Sequence, residues 1–175
     1  MVASRVLRFD LFGAAILLTI GFVCKAAPAE DFPKGWHTPP ASLTHQEFRR
    51  RERSRFLVAV GDFNGDGVPD KAFLLVNEAS SELGLFVCLK TPTGCDWRRL
   101  EEIDIGFLDL MGIATVKSGR YETACGKGYW ECDLGEPAVL ILKHAAIEFF
   151  KEDSASSYYV YDRQKNDFTA VAISD

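Results

Sequence analysis

From residue 56 onward, apolar positions fall in short blocks rather than at helical spacing. Phe56–Val60, Ala72–Val76 and Leu83–Leu89 are rich in β-branched and aromatic residues and are bounded by Gly, Pro, Asn, Asp and Ser. That is the pattern of strands separated by turns. Ile103–Phe107, Gly112–Lys117, Ala138–Lys143, Ile147–Lys151, Ser157–Tyr161 and Phe168–Ile173 continue the series. The last two frame the polar stretch Asp162–Asp167 and read as a hairpin. About nine strands are expected, with no convincing internal repeat. The chain is therefore expected to be mainly β: a single antiparallel domain, a sandwich or a small open barrel, over residues 42–175.

The N-terminal part has a different texture. Arg5 and Arg8 precede the apolar run Leu11–Val23, and small residues follow at Ala26, Ala27 and Ala29. This order predicts a signal peptide over residues 1–26. The run is about thirteen residues long, against the roughly twenty a membrane-spanning helix needs. An uncleaved N-terminal anchor is the alternative. Cys24 follows Val23, where a lipoprotein signal has a small residue. Residues 27–41 contain Pro28, Pro33, Pro39 and Pro40 and read as an extended arm. Thr44 and Glu47 have capping-box spacing, which predicts one short N-terminal helix over 45–53. Arg49, Arg50, Arg51, Arg53 and Arg55 cluster there. They read as a solvated helix face or as a contact for an acidic partner or membrane surface.

Charge and cysteine content narrow the setting. Loss of residues 1–26 removes three cations and one carboxylate, moving the formal charge from −5 to −7. So acidic a domain is a poor general nucleic-acid binder, and no stable membrane insertion is expected after signal cleavage. Cys24 leaves with the signal. Cys88, Cys95, Cys125 and Cys132 remain, in two pairs of equal spacing. An even number in an exported chain points to disulfides. Three connectivities are open, and the local pairs Cys88–Cys95 and Cys125–Cys132 are favoured. A zinc site is the alternative, weakened by the spacing and by only three His. The compartment expected is periplasmic or secreted.

One segment carries strong chemistry. Gly61-Asp62-Phe63-Asn64-Gly65-Asp66-Gly67-Val68-Pro69-Asp70 lies between two expected strands. Asp62, Asn64, Asp66 and Asp70 hold loop positions 1, 3, 5 and 9, and the Val68 carbonyl at position 7 is a further donor. Ca²⁺ takes six to eight oxygens, and alternate positions on a tight loop can converge on one point. Gly65 and Gly67 supply the positive φ such a turn needs. Asp70 is expected to close the site through both oxygens, because position 12, where an EF-hand has its bidentate Glu, is Phe73. A metal-free Asx-rich turn is the alternative. The form D-x-[DN]-x-D-G-x-x-D resembles the calcium loop of FG-GAP or VCBS-type repeats, the blades of integrin α-chain β-propellers. The resemblance covers Ala59–Phe73 and implies ligand roles for Asp62, Asn64, Asp66, Val68 and Asp70. Lys71 departs from the aliphatic residue usual there, and the Phe-Gly and Gly-Ala-Pro landmarks are missing from the mature chain. The motif occurs once, and nine strands cannot make the four blades a propeller requires, so a complete propeller is not expected. More loosely, Cys125–Cys132 and Glu148–Tyr159 are similar to segments of small exported proteobacterial proteins with one such loop.

Three function classes follow. Tyr129 and Trp130 on a disulfide-bounded loop suit a recognition surface for a protein or glycan of the envelope; the alternative is that they pack in the core. A periplasmic inhibitor or immunity-type protein is a variant of this reading. A hydrolase is the second class, with Glu101, Glu102, Asp104 and Asp109 as the acidic stretch to watch, and a purely structural Ca²⁺-locked domain the third. No G-x-S-x-G or H-E-x-x-H is present, and His37, His45 and His144 stand apart. Ca²⁺ is expected in a structural role.

Overall fold

A computed structural model describes residues 31–43, 49 and 56–175. The segment 1–26 and all of the expected helix over 45–53 except Arg49 lie outside the described residues. Ten strands follow: β1 (Val58–Gly61), β2 (Asp70–Asn77), β3 (Glu82–Thr91), β4 (Gly94–Asp104), β5 (Met111–Val116), β6 (Gly119–Glu122), β7 (Val139–Leu142), β8 (Ala146–Lys151), β9 (Ser156–Asp162) and β10 (Asp167–Ser174). All pairings are antiparallel.

Two four-stranded sheets form the body. The first is a meander, β1-β2-β3-β4; the second runs β10-β9-β8-β5. The second would also be a meander, but the hairpin β6–β7 is inserted between β5 and β8. The sheets face each other across one core. Ala72, Leu74 and Val76 of β2 and Leu83, Leu85, Val87 and Leu89 of β3 meet Met111, Ile113, Ile147 and Tyr159 there. Alternation along β2 and β3 sends their other residues outward, yet Leu75 on that outer face is 0% exposed. The arm explains this: Phe32 and Trp36 pack with Phe73, Leu75, Phe86 and Cys88. His37 donates its N–H to Val76 O (3.1 Å) and accepts from Val76 N (2.9 Å), fastening the arm to β2. The far face of the second sheet is covered too. Tyr121 and Leu140 of the hairpin β6–β7 join Val116, Ala146, Tyr158 and Ile173. The order through the molecule is arm, sheet, sheet, hairpin. With both faces of each sheet partly covered, β2 and β3 read as near-continuous apolar runs.

At one side the sheets are laced together. Val60 N–H donates to Thr115 Oγ1 (3.1 Å), whose hydroxyl donates to Val60 O (2.9 Å). Along the opposite side the Tyr159 hydroxyl donates to Glu101 Oε2 at 2.7 Å. The sheets do not close into a barrel.

The structure corrects two strand expectations. Of the expected strand Ile103–Phe107 only Ile103 and Asp104 are in strand: they end β4, and Asp104 caps a 3₁₀ turn over Ile105–Phe107 by accepting the Gly106 N–H at 2.7 Å. β4 starts at Gly94, well before the residues expected. The stretch β6 was also not anticipated. Both disulfides join the local pairs, Cys88–Cys95 and Cys125–Cys132. The first crosses the β3–β4 hairpin, where Lys90 pairs with Cys95 and Cys88 with Trp97. No described helix is long and apolar enough to cross a membrane. Disulfides of this kind are compatible with an oxidising, extracytoplasmic setting.

Candidate functional site

The loop between β1 and β2 is built on two buried anchors. Phe63 is 0% exposed and reaches into the inter-sheet core. Asp70, 1% exposed, opens β2 directly beneath the turn. Its Oδ2 accepts the Phe63 N–H (2.9 Å) and the Asn64 N–H (3.4 Å), and its Oδ1 accepts the Lys90 N–H of β3 (2.8 Å). One carboxylate thus ties both ends of the loop to the neighbouring strand. Burial pushes the Asp70 carboxyl up from its ordinary value of 3.8, against the pull of these three N–H groups and with the help of nearby Asp66.

The other oxygens crown the turn. Asp66 N–H is shared between Asp62 Oδ1 and Asn64 Oδ1, each at 3.0 Å, so those oxygens sit side by side. Asp62 Oδ2 accepts the Gly67 N–H (3.0 Å) and Asp66 Oδ1 the Val68 N–H (2.7 Å). Asn64 Nδ2 donates to Asp66 Oδ2 at 3.0 Å. The Val68 hydrogen bond, then that from Asn64, hold the Asp66 carboxyl below 3.8, with the Arg163 charge adding to the effect. Gly65 and Gly67 have φ of 73° and 88°, as the turn requires.

All five expected loop residues are therefore in one turn, but in two roles. Asp62, Asn64 and Asp66 present oxygens at the surface. Asp70 is the buried foot, and with Oδ2 already accepting twice it retains capacity for a one-oxygen contact rather than the two-oxygen contact its spacing suggests. The carboxylates of Asp62, Asp66 and Asp70 do not bring one oxygen each within 4.8 Å of the others. Among the described residues that criterion is met by Cys125, Cys132 and Glu136, whose sulfurs are bonded to each other. The donors are hard oxygens, three of them anionic residues, which is the donor chemistry a hard divalent cation takes.

Two residues that sequence reasoning left aside complete the loop's surroundings. Arg163, in the β9–β10 turn, donates through Nε to Asn64 O (3.4 Å) and through Nη2 to Gly65 O. His144, from the β7–β8 turn, lies beside it: a Cβ on Gly65 would meet His144 Cδ2 at 2.7 Å and Arg163 Nη2 at 2.9 Å. His144 Nδ1 lies 3.1 Å from the Ala145 carbonyl.

The Cys125–Cys132 loop is the second feature. Thr123, 0% exposed, donates through Oγ1 to Pro137 O at 2.7 Å, joining the loop's two ends. Tyr129 N–H donates to Ala124 O (3.1 Å), and Lys127 Nζ to Ile173 O (2.8 Å). Glu136 accepts from Asp133 N (3.1 Å) and from Trp130 Nε1 (3.3 and 3.4 Å). On this fixed frame Tyr129 is 54%, Trp130 40% and Leu134 108% exposed. Tyr129 and Trp130 are thus at the surface rather than in the core, and Leu134 joins them.

The acidic stretch is spread among structural tasks. Glu101 accepts from Tyr159, Glu102 pairs with Arg99, and Asp104 caps the 3₁₀ turn. Arg49, 1% exposed, donates to Leu108 O (3.0 Å) and to Met111 O. Burial lowers its pKa to about 10, against Asp109 and Glu152. This arginine is a core brace rather than a solvated face. No family model, curated protein or solved structure matches the chain.

Proposed function

We propose that the protein is an exported recognition domain of the periplasm or the extracellular space, in which Ca²⁺ staples the Asp62–Asp70 loop and the Cys125–Cys132 loop makes the contact. The observation that carries the reading is the exposure of Tyr129, Trp130 and Leu134 on a frame already fixed by a disulfide and by Glu136. Aromatic side chains on a pre-ordered loop lose little entropy on binding and are the usual anchors of an interface. The partner class is a protein or glycan of the envelope. In this reading Asp62, Asn64, Asp66 and the Val68 carbonyl hold the metal, and Asp70 supports it from below. Bound Ca²⁺ supplies positive charge that offsets the loop's carboxylates and lends stability to the turn.

The test compares the wild-type protein with a Tyr129→Ala/Trp130→Ala double variant as bait in envelope extract and on glycan arrays. Support is a partner retained by wild type and lost by the double variant at unchanged thermal stability. Identical retention by both would remove the loop from the contact. Calcium is tested separately by melting with Ca²⁺, Mg²⁺ and EDTA. At a hundred times Kd a specific ion adds about 2.7 kcal/mol, and no Ca²⁺-specific rise would end the metal reading.

A further inference from the structure

A groove of about 770 Å³ opens between the metal loop, the β7–β8 turn and the β9–β10 hairpin. Its size is that of a small-molecule site. The floor is aliphatic: Leu140, Val160 and Val171 line it and pack with the cluster under the β6–β7 hairpin. The mouth is basic. Lys143, His144, Arg163 and Lys165 reach it from two separate turns, although the chain as a whole carries −5.

The two carboxylates at the groove are already engaged. Asp162 accepts the Gln164 N–H (2.9 Å) and Lys165 N–H (3.4 Å) and lies 3.6 Å from Lys165 Nζ. Asp62 accepts the Asp66 and Gly67 N–H groups. Arg163 differs. It is held in place by the carbonyls of Asn64 and Gly65, which orient the guanidinium, and its charge also reaches the exposed Asp66 carboxylate. Of its five N–H groups, three remain for another acceptor. Gly65 leaves the space in which Arg163 and His144 sit together. A preset arginine sharing the groove mouth with Lys143, and with Lys165 already paired to Asp162, above an apolar floor is an arrangement for an oxyanion carrying an apolar body.

We infer that this groove binds a small amphipathic anion, its carboxylate or phosphate at Arg163, Lys143 and Lys165 and its apolar part against Leu140, Val160 and Val171. The site does not use Tyr129 or Trp130 of the Cys125–Cys132 loop, although Pro137, which frames that loop, lines the groove.

Isothermal titration of the purified protein in EDTA with hexanoate, hexyl phosphate and hexanol tests this. Saturable binding of either anion is expected, at least tenfold weaker in Lys143→Gln/Lys165→Gln and absent for hexanol. A preference for one anion identifies the headgroup. Thr169→Glu, at an exposed position on the groove wall, adds a repelling charge and should abolish binding while the melting curve stays in place. The inference is overturned by no saturable binding of either anion at millimolar concentration. Equal binding of hexanol, or undiminished binding by both variants, overturns it as well.

Discussion

Replacing Asp70 by Ala separates the loop's scaffold from the metal chemistry proposed for it. The substitution leaves three N–H groups without their acceptor: Phe63 and Lys90, bonded at 2.9 and 2.8 Å, and Asn64 at a marginal 3.4 Å. A buried N–H left unmet costs about 1–3 kcal/mol. Phe63 is fully buried and incurs that cost, whereas exposed Lys90 lets water recover part of it. The removed carboxylate was itself costly to bury, as its raised pKa shows, so some stability is regained. The net loss expected is about 2–3 kcal/mol, out of the roughly 5–15 kcal/mol a domain has. The assay is urea unfolding of the oxidised protein followed by tryptophan fluorescence, in EDTA and in Ca²⁺. Asp70→Ala should lose this amount in EDTA. Asp66→Ala, which frees the exposed Val68 N–H and Asn64 amide to water, should lose less than Asp70→Ala in EDTA and in addition forfeit the calcium increment. An Asp70→Ala protein as stable as wild type in EDTA would refute the anchoring role. Equal losses for Asp66→Ala in both media would refute the metal role.

Three further outcomes are expected. Burial, slightly relieved by Ser156, raises the Glu148 carboxyl above its ordinary 4.5, so the ionised form opposes folding. Stability from this group is full below pH 4.5 and lost as pH rises through the folded value. Glu148→Gln should therefore raise the urea midpoint at pH 7, with the gap closing near pH 4; a gap independent of pH would contradict the assignment. Trp36→Ala removes a half-buried ring stacked edge-on to Phe86 at 4.7 Å and should cost about 2 kcal/mol. Amide exchange at Val76 should quicken with it; unchanged exchange would show that the arm is not held by its indole. Cys125→Ser/Cys132→Ser opens a short covalent loop, with an expected loss of about 2–3 kcal/mol in urea unfolding. A loss below about 1 kcal/mol would mean the frame of Thr123 and Glu136 suffices alone.

The strands that sequence patterning found are those with a run of apolar residues to show. β4 escaped because it is an edge strand with a bulge: Leu85 pairs with Glu101 and Phe86 with Arg99, so Leu100 is the extra residue. After the bulge the alternation restarts out of phase, and Trp97 and Ile103, six residues apart, serve opposite faces. β6 is four residues long with only Tyr121 turned inward, too short for any period. The covering of the outer faces was legible in principle. Ala72–Val76 and Leu83–Leu89 are apolar without a break, which a one-sided sheet does not need. At the loop, ligand-type spacing placed Asp62, Asn64, Asp66 and Asp70 in one turn. It could not divide buried anchor from exposed oxygen, because that depends on Lys90, brought alongside by pairing. Arg163 and His144 join the turn from remote parts of the chain, and no local signal names them. Leu134 stood outside attention because an isolated leucine reads as core.

The inserted β6–β7 hairpin makes the two sheets unequal in the order they can be assembled. Every pairing in the first sheet joins neighbours along the chain, at little loop-closure cost. The second cannot begin at β5, whose partner β8 arrives only after residues 117–145. Low contact order favours early formation of the first sheet, with β8–β9–β10 closing onto β5 afterwards. Each disulfide joins consecutive cysteines of the described domain, so oxidation in chain order yields the native pairing with no reshuffling.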